Sequence, residues 1–219
     1  MIQLDNITVT YGKADSKLDA LKQVSITIED GEFITITGKS GCGKTTLLNV
    51  IGGILKPSSG EYYFNKKNVG KFTDPEMAQL RNQGIGFVVQ HFALINNMTI
   101  YENVALPLRY RKMKLQDIKR AVTAALEKVR IADKCNQYPY QLSGGEKQRA
   151  SIARAIAADT QIILADEPTG ALDEENGHNI MNILKEINTS GKTVIMVTHD
   201  NELAEAGTRR INMKDGIIL

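Results

Sequence analysis

Three things are scarce in this 219-residue chain: cysteine, an excess of charge of either sign, and long apolar runs. The 2 cysteines, Cys42 and Cys135, lie far apart. They show neither Cys-x-x-Cys spacing nor a zinc-ligand pattern, which excludes a disulfide framework and points to a reducing, cytosolic setting. Basic and acidic side chains number 27 and 25, a formal charge of +2. That balance excludes a strong overall field for nucleic acid or anionic lipid, while leaving room for a local patch. No window approaches the roughly eighteen apolar residues of a membrane span. The start, Met1-Ile2-Gln3-Leu4-Asp5-Asn6, lacks the basic opening and apolar run of a signal peptide. Any membrane role is therefore expected to run through a partner. Internal repeats and low-complexity tracts are absent too.

What remains is the composition of a globule, with 42% hydrophobic and 24% charged residues. The first third reads mostly as strands: Ile2 to Val9 alternates apolar and polar, followed by Val24 to Ile28 and Phe33 to Thr37. Asp30-Gly31 between the last two signals a hairpin turn. A helix is expected after Gly43 with Leu47, Leu48, Val50, Ile51 and Leu55 on its apolar face, ended by Pro57-Ser58-Ser59-Gly60. Glu61 to Phe64 and Ile85 to Val89 read as further strands. From Asp74 to Gln141 the pattern turns helical: Asp74-Pro75 reads as an N-cap and first-turn proline, Thr99 to Glu102 as a capping box, and Leu115 to Val129 carries helical periodicity. Short apolar runs at Ile162 to Ala165 and Val194 to Val197 then alternate with helices. The expectation is an α/β fold: a mostly parallel, buried sheet, an antiparallel β subdomain and an inserted helical subdomain.

Gly38-Lys39-Ser40-Gly41-Cys42-Gly43-Lys44-Thr45 fits G-x-x-x-x-G-K-[ST], with a strand before it and a helix after it. Glycines let backbone N–H groups converge on phosphate oxygens, and the helix N-terminus adds positive potential. Lys44 is expected to reach the β- and γ-phosphates and Thr45 to offer its hydroxyl to Mg²⁺. A chance glycine turn lacks that strand-and-helix context. Cys42 reads as a small space-filling residue, with a redox role as the alternative. Ile162 to Ala165 runs into Asp166-Glu167, two carboxylates at the carboxyl end of a buried strand, where open sheets gather ligands. Asp166 is placed to hold Mg²⁺ through water, and Glu167 to orient and deprotonate an attacking water. Idle, solvated acids would look the same in isolation; beside a phosphate loop they do not. Finally, in Leu142-Ser143-Gly144-Gly145-Glu146, Ser143 and Glu146 form a capping box for a helix running through Ile156, and the two glycines bare a second anion-binding helix end. One nucleotide needs only one cradle. The second therefore suits a nucleotide held by another copy of the chain, or else is an ordinary capped helix.

Together, the phosphate loop, Leu-Ser-Gly-Gly-Glu, the acidic strand end and a later histidine resemble the ATP-binding subunit of an ABC transporter, a P-loop NTPase with a RecA-like core. The resemblance covers nearly the whole chain, with every motif in order. It implies one ATPase domain over 1–219, with 1–90 and 142–219 as core and about 91–141 as the helical subdomain. It implies ATP and Mg²⁺ as cofactors, with nucleotide contacts from Tyr11 stacking on adenine, from the phosphate loop through Thr46, from Gln90, which would also sense Mg²⁺, and from Ser143, Gly144, Gly145 and Glu146 in trans. It implies Asp173 in the loop coupling two sites, and Lys44, Glu167 and His199 as catalytic groups, His199 facing the γ-phosphate. Its expected partners are a second copy, closing head to tail, and a membrane permease; nucleic acid is not among them. The expected location is cytoplasmic, peripheral on the inner face of the membrane.

Tyr101 to Leu108 and Asp166 to Asp173 resemble the macrolide-efflux, lipoprotein-release and antimicrobial-peptide-resistance group, implying export of a peptide, lipid-linked or drug-like cargo. Val89, where Phe is common, and Ile95-Asn96-Asn97, without the usual Leu-Pro, depart from that group beside the surface expected to meet the permease. The alternative within the same family is an ATPase that transmits force to a membrane sensor or a cell-wall hydrolase. A GTPase or small P-loop kinase would leave Leu-Ser-Gly-Gly-Glu without a task, and no Asn-Lys-x-Asp guanine reader is present. DNA-repair relatives need an insertion longer than the Gln90 to Leu142 interval. The C-terminal Asp215 to Leu219 follows an expected strand directly, which fits either a whole subunit or a domain of a longer polypeptide.

Overall fold

Alternating apolar residues at the start of the chain build a half-buried strand, β1 (Ile2–Tyr11), which buries Ile2, Leu4, Ile7 and Val9. The computed structural model describes residues 1–12 and 17–219. A bulge at Asn6, whose φ is 51°, shifts the pairing between Leu4 and Ile7 and returns both to the buried face. β1 pairs antiparallel with β2 (Leu18–Ile28) on one side. On the other it pairs with β4 (Ser59–Phe64), which in turn pairs with the two-residue β5 (Lys67–Asn68).

β3 (Phe33–Gly38) has a different character: all but its last residue are buried. It pairs in parallel with β8 (Thr193–Val197), itself fully buried, and with β9 (Arg209–Lys214), which carries the antiparallel β10 (Ile217–Ile218). The buried threonines of β3 satisfy their hydroxyls, Thr35 on the Ala204 carbonyl at 2.9 Å and Thr37 on Asn212 Oδ1 at 2.6 Å. Asp30-Gly31 does form a turn, but not a hairpin, since the strands it joins enter different sheets. β2 alternates and suits a half-exposed antiparallel sheet, whereas β3 suits burial on both faces. Gly31, at φ +82°, makes the step between them and donates its N–H to Thr193 Oγ1 at 2.9 Å.

The helix after the glycine loop, α1 (Lys44–Ile51), stops earlier than expected. Gly53 takes the left-handed conformation, φ +63°, and the N–H groups of Gly53 and Ile54 close on the carbonyls of Val50 and Asn49. This Schellman closure ends the helix before Leu55 and Pro57 are reached. α2 (Asp74–Gly84) starts one residue from the expected place: Thr73 is the cap, and Glu76 accepts its N–H at 2.8 Å and its hydroxyl at 2.7 Å. Pro75 then sits inside the first turn, where a missing N–H costs nothing.

Chain contacts divide the protein into two units, Met1–Arg81 with Thr193–Leu219, and Asn82–Lys192. The second unit holds the parallel pair β6 (Ile85–Val89) and β7 (Ile162–Asp166), with Val89 opposite Asp166. It also holds α3 (Ile100–Tyr110), α4 (Leu115–Lys128), α5 (Gly144–Ala157) and α6 (Glu174–Thr189). α4 buries Ile118, Val122, Ala125 and Leu126 at helical spacing. α5 is rich in buried alanine, and the closeness this allows is visible at Gly86 of β6, where a Cβ would lie 2.5 Å from the Ala155 carbonyl oxygen. The four-residue α7 (Asn201–Ala204) belongs to the first unit.

Three helices open on the same device, a carboxylate accepting a backbone N–H three residues back. The Thr73, Thr99 and Ser143 amides hold Glu76, Glu102 and Glu146 below the usual carboxylate range. Because the folded values are depressed, the stabilisation is present above the unfolded glutamate value, about 4.3, and is lost as pH falls through the folded values. Thermal unfolding should therefore shift downward below about pH 4.3, and Glu146→Gln, which keeps an acceptor but no charge, should flatten part of that dependence.

Candidate functional site

The glycine loop Gly38–Thr45 is held by backbone contacts from its own unit. Gly216 donates its N–H to the Cys42 carbonyl at 3.1 Å, and Lys22 donates to the Gly216 carbonyl at 2.8 Å, so the turn after β9 and strand β2 clamp the loop. Glycine is required sterically at both ends. A Cβ on Gly38 would strike the Met213 carbonyl and lie 2.6 Å from Cys42 Sγ, and one on Gly43, at φ +103°, would strike the Ala20 carbonyl. Cys42 is buried beneath the loop, as a space-filling residue should be. Lys44 is buried as well, and its ammonium donates to the carbonyls of Gly38 at 2.8 Å and Lys39 at 3.0 Å, which spans the mouth of the loop. Lys39, Ser40, Gly41 and Thr45 face solvent, and Thr46 is half-buried. The loop thus presents a helix start, whose first-turn N–H groups the helix itself does not use, beside a positioned cation.

His199 comes to the same edge. β3 and β8 run parallel with Ile36 opposite Val197, so His199 and Gly38 each follow their paired residue by two positions. The turn that carries His199 is fixed on both sides. Thr198 donates its N–H to the Ile36 carbonyl at 3.1 Å, and Asp200 caps α7 through the N–H groups of Glu202 and Leu203. Tyr11 is exposed at the end of β1 opposite Leu18, two residues from the Ala20 carbonyl that Gly43 approaches.

In the second unit, Gln90, Asp166 and Glu167 gather at the carboxyl ends of β6 and β7, because Val89 lies opposite Asp166. Glu167 adopts φ 46°, uncommon for a residue with a side chain, at the turn that leaves the strand. Gly170 closes that turn onto the Glu167 carbonyl at 3.1 Å and packs under Gln90, whose Nε2 would be 2.9 Å from a Cβ there. Ser143 is the N-cap of α5, taking the Glu146 N–H at 3.3 Å, and Glu146 takes the Ser143 N–H at 2.9 Å. The Glu146 carboxylate is thus engaged in capping, with Lys134 3.8 Å away. Asp173 likewise caps α6, its carboxylate held by the Asn176 N–H and side-chain amide and lowered in pKa by those bonds.

Four residues that the sequence reading assigned no role do the joining. Gln148, fully buried on α5, donates to the Pro168 carbonyl at 2.7 Å and ties that helix to the turn after Glu167. Asn176 grips Asp173 and fills the space beside Gly145, where no Cβ fits. Arg154 donates to the carbonyls of Phe92 and Ala93, both residues at positive φ, just past Gln90. Asn103, fully buried on α3, accepts the Ile95 N–H at 2.7 Å and donates to the carbonyls of Ile95, Met98 and Thr99. Only a polar residue on an otherwise apolar face could have flagged Gln148 and Asn103.

A loop of this geometry at a strand–helix junction, with an acidic strand end and a second glycine-mouthed helix, defines a P-loop nucleotide-binding cassette. A sequence profile described as "ABC transporter" matches residues 21–170. The chain belongs to the ABC transporter family. It is 44% identical over its whole length to the macrolide export ATP-binding/permease protein MacB of Chlorobaculum tepidum, of which it spans 34%. It is 42% identical to the uncharacterised ABC transporter ATP-binding protein MJ1508 of Methanocaldococcus jannaschii, covering 98% of that protein. The chain therefore spans about a third of the length of its MacB relatives and nearly all of the stand-alone ones. Among solved structures, the ATP-binding cassette MJ0796 as a post-hydrolysis dimer bound to ADP and Pi superimposes with a TM-score of 0.92 at 43% identity. It covers 100% of this chain and 96% of the other.

Replacing Lys44 by alanine should leave the backbone clamp intact and weaken triphosphate binding strongly, while adenosine, which has no phosphates, loses nothing. Titration calorimetry with both ligands separates loss of the cation from loss of the loop.

Proposed function

We propose that this chain is the ATP-hydrolysing subunit or domain of an ABC transporter. Two copies would close head to tail over two nucleotides and pull on a membrane permease that exports a peptide, lipid-linked or drug-like molecule. The observation that carries the reading is the presence of two glycine-mouthed helix starts in one chain, at Gly43-Lys44 and at Ser143-Gly144-Gly145. The first, with Lys44, binds the phosphates of its own nucleotide. The second is supplied to the nucleotide of the other copy. MJ0796 was solved as a dimer with ADP and Pi, and MacB is named as joining the ATP-binding and permease functions; both support this arrangement.

The chain's own groups divide the work. Loop N–H groups and Lys44 hold the phosphates, Tyr11 stacks on the adenine, and Glu167 orients water and takes its proton. His199 steadies the γ-phosphate. Among the described residues no group of three or more His, Cys, Asp or Glu side chains could hold a metal by itself. The donors on offer are hard oxygens, the Thr45 hydroxyl, the Asp166 carboxylate and the Gln90 amide. They suit Mg²⁺, which binds few protein ligands and shares its shell with phosphate and water. Held there, Mg²⁺ would neutralise charge on the phosphates. No helix among the described residues is long and apolar enough to cross a membrane. The helical segment of about 91–141 that follows Gln90 is assigned the contact with the permease at the inner face of the membrane.

Glu167→Gln should keep ATP binding, cut turnover by roughly two orders of magnitude or more, and accumulate ATP-bound dimers on a sizing column. Turnover near that of the parent would remove Glu167 from the role of base. Ser143→Arg should spare ATP binding by the single chain while blocking ATP-dependent dimerisation, because a bulky cation fills the second cradle. A Ser143→Arg protein that still dimerises with ATP would leave the second helix start without its proposed purpose.

A further inference from the structure

The near-neutral total charge hides a strong local asymmetry. Residues 109–120 hold six of the chain's 27 basic side chains and one of its 25 acidic ones, which leaves the remainder net acidic. The segment is the turn of a helical hairpin in the second unit. α3 ends at Tyr110, Lys112 reverses the chain at φ 54°, and α4 starts at Leu115. Two of the six bases are engaged locally. Arg111 donates to Asn82 Oδ1 at 2.9 Å and to the carbonyls of Asn82 and Gln83, and Arg120 pairs with Asp117 at 3.0 Å. Arg109, Lys112, Lys114 and Lys119 are exposed.

Apolar groups are interleaved with these charges. Leu115 and Tyr110 are 83% and 75% exposed, the highest values among the described large hydrophobic side chains. Leu115 continues the stripe of Ile118, Val122 and Leu126 past the point where the stripe is buried. The local sequence also works against its own helix. Lys114 stands at the N-cap of α4 without a side-chain capping bond, where a cation opposes the helix dipole, whereas α3, α5 and α6 open on Thr99, Ser143 and Asp173, each capping an N–H. A local rule broken on an exposed surface points to an external role.

We infer that the α3–α4 turn docks on an anionic bilayer surface. Clustered lysine and arginine are drawn to acidic headgroups, tyrosine settles at headgroup depth, and one leucine and the lysine stems supply apolar contact while the ammonium groups stay in water. Nucleic acid shares the phosphate chemistry, but a single tyrosine offers no run of stacking partners, and Leu115 has no use on a phosphodiester backbone. The inference stands apart from ATP hydrolysis, since none of these residues has a place in the nucleotide site.

The test is co-sedimentation of the 219-residue chain with phosphatidylcholine vesicles, with and without phosphatidylglycerol, at low and raised salt. The expected result is partition to the anionic vesicles only, weakened by salt. The triple variant Lys112→Gln/Lys114→Gln/Lys119→Gln should reduce it roughly ten- to a hundredfold. Leu115→Ser should reduce it further, and Lys185→Gln on α6 should leave it unchanged. Unaltered thermal unfolding and ATP binding by the triple variant show that its fold is intact. Equal binding to neutral vesicles overturns the inference, as does undiminished anionic binding by the triple variant. Loss of binding to a short RNA or DNA by that variant, with vesicle partition unaffected, overturns it in favour of nucleic acid.

Discussion

Everything the first unit offers to a nucleotide depends on one constraint, a six-residue loop held to a single path between Gly38 and Gly43. A free chain would not hold Gly38 to Gly43 in that shape, because left-handed glycines lose the most freedom on ordering. The cost is met by contacts from outside the loop: the Gly216 amide on the Cys42 carbonyl, the Ala20 carbonyl against Gly43, and the Met213 carbonyl against Gly38. Strand β3 sits between β8 and β9, so the loop leaves a fully paired strand and cannot slide. Lys44 then spans the loop mouth from within, its ammonium on the Gly38 and Lys39 carbonyls. A buried cation needs such partners, and these are ones that phosphate oxygens can replace.

The second unit solves a different problem, how to hold several loops in a fixed relation. Gln90, Glu167, Ser143 and Asp173 lie on four separate segments, yet each segment is fastened to its neighbours by one buried or half-buried polar side chain. Gln148 joins α5 to the turn after Glu167, Asn176 joins the Asp173 cap to Gly145, and Arg154 and Asn103 secure the stretch after Gln90. The bonds from Gln148, Arg154 and Asn103 end on backbone carbonyls, so they fix chain path regardless of the side chains in the loop, whereas Asn176 acts on the Asp173 carboxylate. That explains how Ile95-Asn96-Asn97 can depart from the group's usual wording. Asn103 grips the backbone of Ile95 and holds the chain path whichever side chains follow.

Much of this was legible in the residues. β1 announces itself by alternation and α4 by its apolar spacing, and the capping boxes at Thr99 and Ser143 stand as expected. All three are local patterns, in which neighbours in sequence are neighbours in space. The misreadings are instructive for the same reason. Asp30-Gly31 specifies a turn but not which strands lie beyond it, and the choice is made by burial of β3 on both faces. Gly53 ended α1 through a Schellman closure that competes with the more conspicuous Pro57, and Thr73 outranked Asp74 as a cap because Glu76 lies three residues after Thr73. Gln148, Arg154 and Asn176 were silent because the groups they serve are defined only once the chain has folded.

The same distinction bears on the α3–α4 turn. In a folded core each local preference agrees with the whole, and a lysine at an N-cap followed by an exposed leucine agrees with nothing inside the chain. Stability cannot have selected it, since Ser or Asp at 114 and a polar residue at 115 would serve the helix better. The neighbouring caps show that this chain meets the rule elsewhere, at Thr99, Ser143 and Asp173. A turn where a lysine at the N-cap, further bases, an exposed tyrosine and an exposed leucine coincide is the pattern expected of a surface shaped by what it touches.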